Sequence, residues 1–134
     1  MKSRLSEKHI TNFCIDMINA IPYCYATKRI ANLVKSGEPD VTGIINRIRL
    51  EIEYKKPGKD PTPLQSKQLR MWTDLGAIVG VSHSVLETVL LIEKHLTRDQ
   101  VGFIRQYLID KSRSILLKEQ IMETVLYFID GDML

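Results

Sequence analysis

Apolar residues recur at helical spacing over Ile10, Phe13, Cys14, Met17, Ile18 and Ile21, a stripe that predicts an amphipathic helix ended by Pro22. The period then changes. Tyr23 to Ala26 reads as a short strand, and Thr27 to Ser36 has no decisive pattern. Val41, Ile45, Ile48, Leu50, Ile52 and Tyr54 form the apolar face of a predicted β-hairpin with Asn46-Arg47 at its turn. Pro57, Gly58, Pro61 and Pro63 mark a loop. Thr62-Pro63-Leu64-Gln65 has the chemistry of a helix start: a Thr cap, Pro in the first turn and Gln three residues after the cap. That helix runs to about Leu75, and Gly76 closes it. Ala77 to Val81 reads as a buried strand, and Ser84 with Glu87 opens another helix. Helix, strand, hairpin, helix, strand, helix is a mixed α/β order.

A third capping pair, Thr97 with Gln100, starts a helix to about Ser112, and a last apolar segment spans Ile115 to Ile129. The stretches TPLQ…ETVLLIE and TRDQ…ETVLYFID echo one another. Two copies are too few for a solenoid, and shared capping chemistry accounts for the echo.

Composition narrows the class. A chain of 134 residues, 44% hydrophobic and 26% charged, fits one domain that buries a core without disulfide or metal staples. No apolar run approaches the roughly 20 residues of a membrane span. The opening MKSRLSEKHI lacks a signal-peptide core, which points to a cytoplasmic protein. Cys14 and Cys24 sit in apolar sequence and read as reduced, buried thiols. His9, His83 and His95 pair with no cysteine at zinc-ligand spacing. Net charge is only +3, but Lys28 to Arg70 holds ten Lys/Arg against five Asp/Glu. A basic region around an acidic centre suits a polyanion held near a metal, and a solvated surface of mixed charge accounts for the same count.

The acidic centre is the hairpin. A two-residue turn at Asn46-Arg47 sets Ile45 against Ile48, Gly43 against Leu50, Val41 against Ile52 and Asp40 against Glu53. Opposed side chains have Cβ atoms about 4.5–5.5 Å apart, so two carboxylates there repel unless a cation lies between them. Lys55 shares their face. Hard oxygen donors suit Mg²⁺ or Mn²⁺, which polarises a phosphoryl oxygen and activates water, with Lys55 offsetting charge on the phosphate. The competing reading is a solvated face on which Glu51, Glu53 and Lys55 make cross-strand ion pairs.

SGEPDVTGI, RLEIEYKKPG, TPLQ and LGAIVGVSHS, in that order, resemble the virus-type replication-repair nucleases (VRR-NUC) of the PD-(D/E)xK superfamily over about Ser6 to Glu93. The resemblance implies a restriction-endonuclease-like α/β core, a small mixed β-sheet flanked by helices. Asp40 and Glu53 would be the metal-binding acids, the Tyr54 carbonyl a further ligand and Lys55 the catalytic lysine. Gln65 matches the glutamine on the helix after the core motif, although a capping role also explains it. Glu7 resembles the acid of the first helix that reaches the metal, although it also suits a helix N-terminus. Lys56 reads as a phosphate contact, and His83 as a loop residue near the site. Asn46-Arg47 stands where many members carry a glycine turn, and Tyr54 where a small β-branched residue is usual.

The activity implied is Mg²⁺- or Mn²⁺-dependent endonucleolytic hydrolysis of DNA, leaving a 5′-phosphate. The substrate implied is branched, flapped or four-way-junction (Holliday junction) DNA in replication or repair, often in phages and then in the host-cell cytoplasm. The alternatives are a restriction-type or exonucleolytic DNase, or an inactive DNA-binding or scaffolding domain of the same fold. No aromatic-rich basic stripe or recognition-helix motif identifies the DNA structure. The nuclease core spans residues 1–94. Residues 95–134 form a C-terminal helical extension whose apolar side chains either mediate a homodimer or fold back on their own core.

Overall fold

The structure, a computed structural model, describes residues 5–30 and 37–133. Helix α1 (Glu7–Asn19) precedes strands β1 (Cys24–Lys28), β2 (Val41–Ile45) and β3 (Ile48–Tyr54). Helix α2 (Pro63–Asp74), strand β4 (Ile78–Ser82), helix α3 (Val85–Ile92), a 3-10 turn (Glu93–His95) and helices α4 (Arg98–Asp110) and α5 (Lys118–Met133) follow. The strands form one sheet in the order β1-β2-β3-β4, antiparallel up to β3 and parallel between β3 and β4. This is the predicted mixed α/β architecture with a restriction-endonuclease-like core.

The hairpin has the register that apolar pairing demands: Val41 opposes Ile52, Gly43 opposes Leu50 and Ile45 opposes Ile48. Its turn residues both lie in the left-handed region, Asn46 at φ 49° and Arg47 at φ 74°, as a two-residue type I′ turn requires. Neither is glycine, so tertiary bonds hold the turn instead. The Asn46 side chain donates to the His95 carbonyl (2.8 Å) and exchanges reciprocal amide bonds with Gln100 (2.8 and 2.7 Å). Gly43 is required for a different reason: a Cβ there would sit 2.0 Å from the Tyr25 carbonyl oxygen across the β1–β2 pair.

Successive β3 side chains alternate between two covers. Leu50, Ile52 and Tyr54 face α1 and α3 and are fully buried. Beneath them the Tyr54 hydroxyl hydrogen bonds Thr88 (2.9 Å), which bonds Ser82 (2.8 Å), so the polar atoms of this layer are satisfied. Burial pushes the neighbouring Cys14 thiol up to about 11. The other sheet face meets α2 at its β3–β4 side, where Gln65 reaches Glu53 and Trp72 lies over Arg49.

Several expectations are corrected. The first strand begins at Cys24, because Tyr23 has φ 64° and is 87% exposed. Ile48 is exposed at the hairpin end, and Cys24 is half-buried, although both cysteines are free thiols. The Glu51–Glu53 face is sealed and not solvated.

The segment after residue 94 folds back on its own core. Ile104, Leu108, Ile121 and Phe128 are buried in the same cluster as Phe13, Ile18, Val89 and Ile92. Gln120 on α5 accepts a hydrogen bond from the Val85 N–H at the start of α3 (2.9 Å). No described helix is long and apolar enough to cross a membrane.

Candidate active site

Asp40 immediately precedes β2, and its place is fixed by continuing the hairpin ladder one step past Val41. There the side chains replace the backbone. The Asp40 N–H donates to Glu53 Oε1 (3.1 Å), and the Tyr54 N–H donates to Asp40 Oδ2 (3.1 Å). The two carboxylates are therefore brought together across the strands, as the register requires. Lys55 Nζ lies 3.6 Å from Glu53 Oε2 and is mostly covered. The Lys55 N–H is bound to the Ser82 carbonyl of β4 (3.0 Å), which fixes the backbone where the side chain departs.

Gln65 both caps its helix and reaches Glu53. Its Oε1 accepts from the Thr62 N–H (2.8 Å) and closes the capping box of α2, while its Nε2 donates to Glu53 Oε2 (2.9 Å). The helix start thus delivers a donor to the acid. Asp40, Glu53, Lys55 and Gln65 form one hydrogen-bonded and ion-paired group.

The electrostatics of the group centre on Glu53, a residue only 1% exposed. Burial, and then the charge of Asp40, push its pKa up to about 7, against the opposing pull of Lys55 and the Asp40 N–H. Such a carboxylate pair is short of positive charge. Two hard oxygen donors, with the Tyr54 carbonyl between Glu53 and Lys55 in the chain, fit a small divalent cation that keeps several of its waters. Among the described residues no three His, Cys, Asp or Glu side chains converge on one metal position.

Glu7 is not joined to this group. It begins α1, is half-buried, and its carboxylate makes no hydrogen bond or ion pair with a described residue; its carbonyl accepts from Thr11 (2.8 Å). Lys56 is exposed beside Lys55. His83 bonds Glu87 (2.9 Å) and the Lys59 carbonyl (2.9 Å) rather than the site acids, and these acceptors raise its pKa.

Two features of the site face are absent from any sequence motif. Glu51, next to Glu53 on the same face, is sealed by Arg29, Thr42 and Arg49. Farther toward the turn, Tyr25, Ile44 and Arg49 stand in one cross-strand row. With Arg47 they line a shallow groove of about 320 Å³ on the open part of the sheet. The Arg49 guanidinium lies 4.0 Å above the Trp72 ring, and Arg47 makes no ion pair with a described residue. An aromatic and basic surface therefore shares the sheet face of Asp40 and Glu53, assembled from strands whose residues are scattered in sequence.

No protein-family model and no curated protein matches the chain. A solved structure described as a "VRR_NUC domain protein" resembles it with a TM-score of 0.56 and 20% sequence identity, over 69% of this chain and 89% of that one. The likeness establishes that the chain has the fold of a VRR-NUC domain.

Proposed function

We propose that the chain is a metal-dependent endonuclease that hydrolyses DNA phosphodiesters, with branched, flapped or four-way-junction DNA as its substrate. The observation that carries this reading is the union of Asp40, Glu53, Lys55 and Gln65 in one group on a VRR-NUC-type fold. Asp40 and Glu53 supply hard oxygen donors, and the Tyr54 carbonyl adds a third. When bound at these oxygens, Mg²⁺ or Mn²⁺ supplies Lewis acidity toward a phosphoryl oxygen and lowers the pKa of a coordinated water. Lys55, beside Glu53, would offset negative charge growing on the phosphate. Gln65 holds the Glu53 carboxylate in one orientation. Arg47, Arg49 and Lys56 offer cations to flanking phosphates, and Tyr25 offers a ring for a base. In this reading Glu7, half-buried at the start of α1, is the further acid offered to the metal.

A homodimer is the assembly that fits cutting of symmetric branched DNA, because a twofold axis presents two sites to one substrate. The deciding experiment is a cleavage panel of duplex, flap, fork and four-way-junction DNA with Mg²⁺, Mn²⁺ or EDTA. The proposal expects metal-dependent cutting that favours a branched substrate and is abolished by Asp40→Asn. Absence of cutting on every substrate, or cutting unchanged by EDTA, refutes it.

A further inference from the structure

The peptide group between Pro39 and Asp40 is pinned at both ends. Its N–H, on Asp40, donates to Glu53 Oε1 (3.1 Å). Its carbonyl, on Pro39, accepts from Arg29 Nη1 (2.8 Å). Proline has no N–H, so that carbonyl is the only backbone group by which the chain can be held at this residue. The same Nη1 binds Glu51 Oε1 (2.6 Å), while Arg29 Nε lies 3.2 Å from Glu38 and the Arg29 N–H donates to the Asp40 carbonyl (2.8 Å). One arginine side chain and its own backbone thus hold Glu38, Pro39 and Asp40 in succession.

Glu51 is the anchor of this arrangement. Its carboxylate is fully buried and bound at both oxygens: Arg29 takes one, and Thr42 (2.5 Å) and Arg49 (2.9 Å) take the other. A buried ion pair adds little net stability over an apolar pair of similar volume, so burial alone does not account for a charge pair here. An apolar pair cannot hold the Pro39 carbonyl. The planar guanidinium can, because its N–H groups are fixed in direction.

We propose that Arg29 and Glu51 are positioning residues: their pair orients the Pro39–Asp40 peptide, whose N–H orients Glu53, and so sets the mutual placement of the two site carboxylates. The consequence for metal affinity rests on the nuclease reading. The placement itself does not.

The test uses the full chain. Arg29→Met combined with Glu51→Leu removes both charges together and avoids stranding one of them. Backbone amide exchange by NMR is then compared at two sets of positions. The amides of Asp40 and Tyr54 donate to Glu53 and Asp40, whereas those of Gly43 and Leu50 report the hairpin. The proposal expects Asp40 and Tyr54 to exchange about tenfold faster or more, with Gly43 and Leu50 nearly unchanged. Calorimetry with Mn²⁺ is expected to show an affinity weaker by about 10- to 100-fold, as for loss of a group that orients a ligand. If the double variant does not fold, Arg29→Lys takes its place, because an ammonium lacks the fork and the same selective loosening is expected. Unchanged exchange at Asp40 and Tyr54, or a loss spread evenly over the hairpin, overturns the proposal and makes the pair a fold contact. If the parent chain binds no Mn²⁺, the nuclease reading fails, and the exchange comparison still decides the positioning role.

Discussion

Glu53 carries the opposing demands of the site in one side chain. It is buried, faces Asp40, and is held by Lys55, Gln65 and a backbone N–H. With its folded pKa raised to about 7 from 4.5, the folded state holds a proton more tightly than the unfolded chain does. Its contribution is therefore most favourable below the unfolded value, erodes as pH rises from about 4.5 to 7, and is a constant penalty above that. The full penalty is on the order of 3 kcal/mol. Glu53→Gln removes the charge and keeps the shape. In EDTA its melting temperature should exceed that of the parent by about 10 °C at pH 8, with the gap narrowing toward pH 5. A constant gap across that range refutes the assignment. Lys55→Ala isolates the neighbouring charge. Cleavage should fall by about 10²–10³-fold, because a charge-stabilising donor is lost, while Mn²⁺ affinity changes by less than about threefold. The comparison belongs at pH 8.5, since loss of Lys55 raises the Glu53 pKa further. Loss of metal binding and of folded signal together would instead make Lys55 a structural partner.

The hairpin shows which elements are legible in sequence. Its register follows from period-two burial, and it correctly opposes Asp40 to Glu53 because a one-residue slip would expose Val41, Leu50 and Ile52. The capping boxes of α2 and α4 are local chemistry and appear where Thr62-Gln65 and Thr97-Gln100 predict them. Asn46-Arg47 is a poor local signal for a type I′ turn, since its stability comes from Gln100, far along the chain. The same limit hides Arg29. It follows β1 beside a stretch without periodicity, and its meaning arises only when Pro39 and Glu51 arrive from other elements. Glu51 looks like a solvated strand residue because no pattern announces the two arginines that seal it. The turn gives a direct test. Asn46→Ala loses the amide pair and strains a left-handed residue, whereas Asn46→Gly loses only the amide pair. Urea unfolding should find both destabilised, with alanine worse by about 1–2 kcal/mol. Equal losses would mean that the backbone conformation contributes nothing.

On the scale of the whole molecule, the last two helices have more apolar surface than their own core consumes. Ile104, Leu108, Ile121 and Phe128 are buried against α1 and α3, so part of the segment is explained without a partner. What remains is a groove of about 230 Å³ between α4 and α5, lined by Leu108, Val125 and Phe128 and rimmed by the exposed Ile109 and Ile129. Phe103, Met122 and Leu126 are also about half exposed on the same two helices. Apolar surface of this kind suits an interface, and we propose that these two helices pair with those of a second copy about a twofold axis. Light scattering at micromolar concentration should give about twice the 15.4 kDa chain mass. Ile109→Glu with Ile129→Glu should return it to the single-chain mass without loss of helical signal, since both side chains are exposed. The variant also separates assembly from chemistry. Cutting of a single flap should survive it, whereas paired cutting of a four-way junction should be lost, because each subunit would still hold Asp40, Glu53 and Lys55 while the second site on the substrate would be gone. A parent chain of single-chain mass would overturn both the dimer and the two-site account of junction cutting.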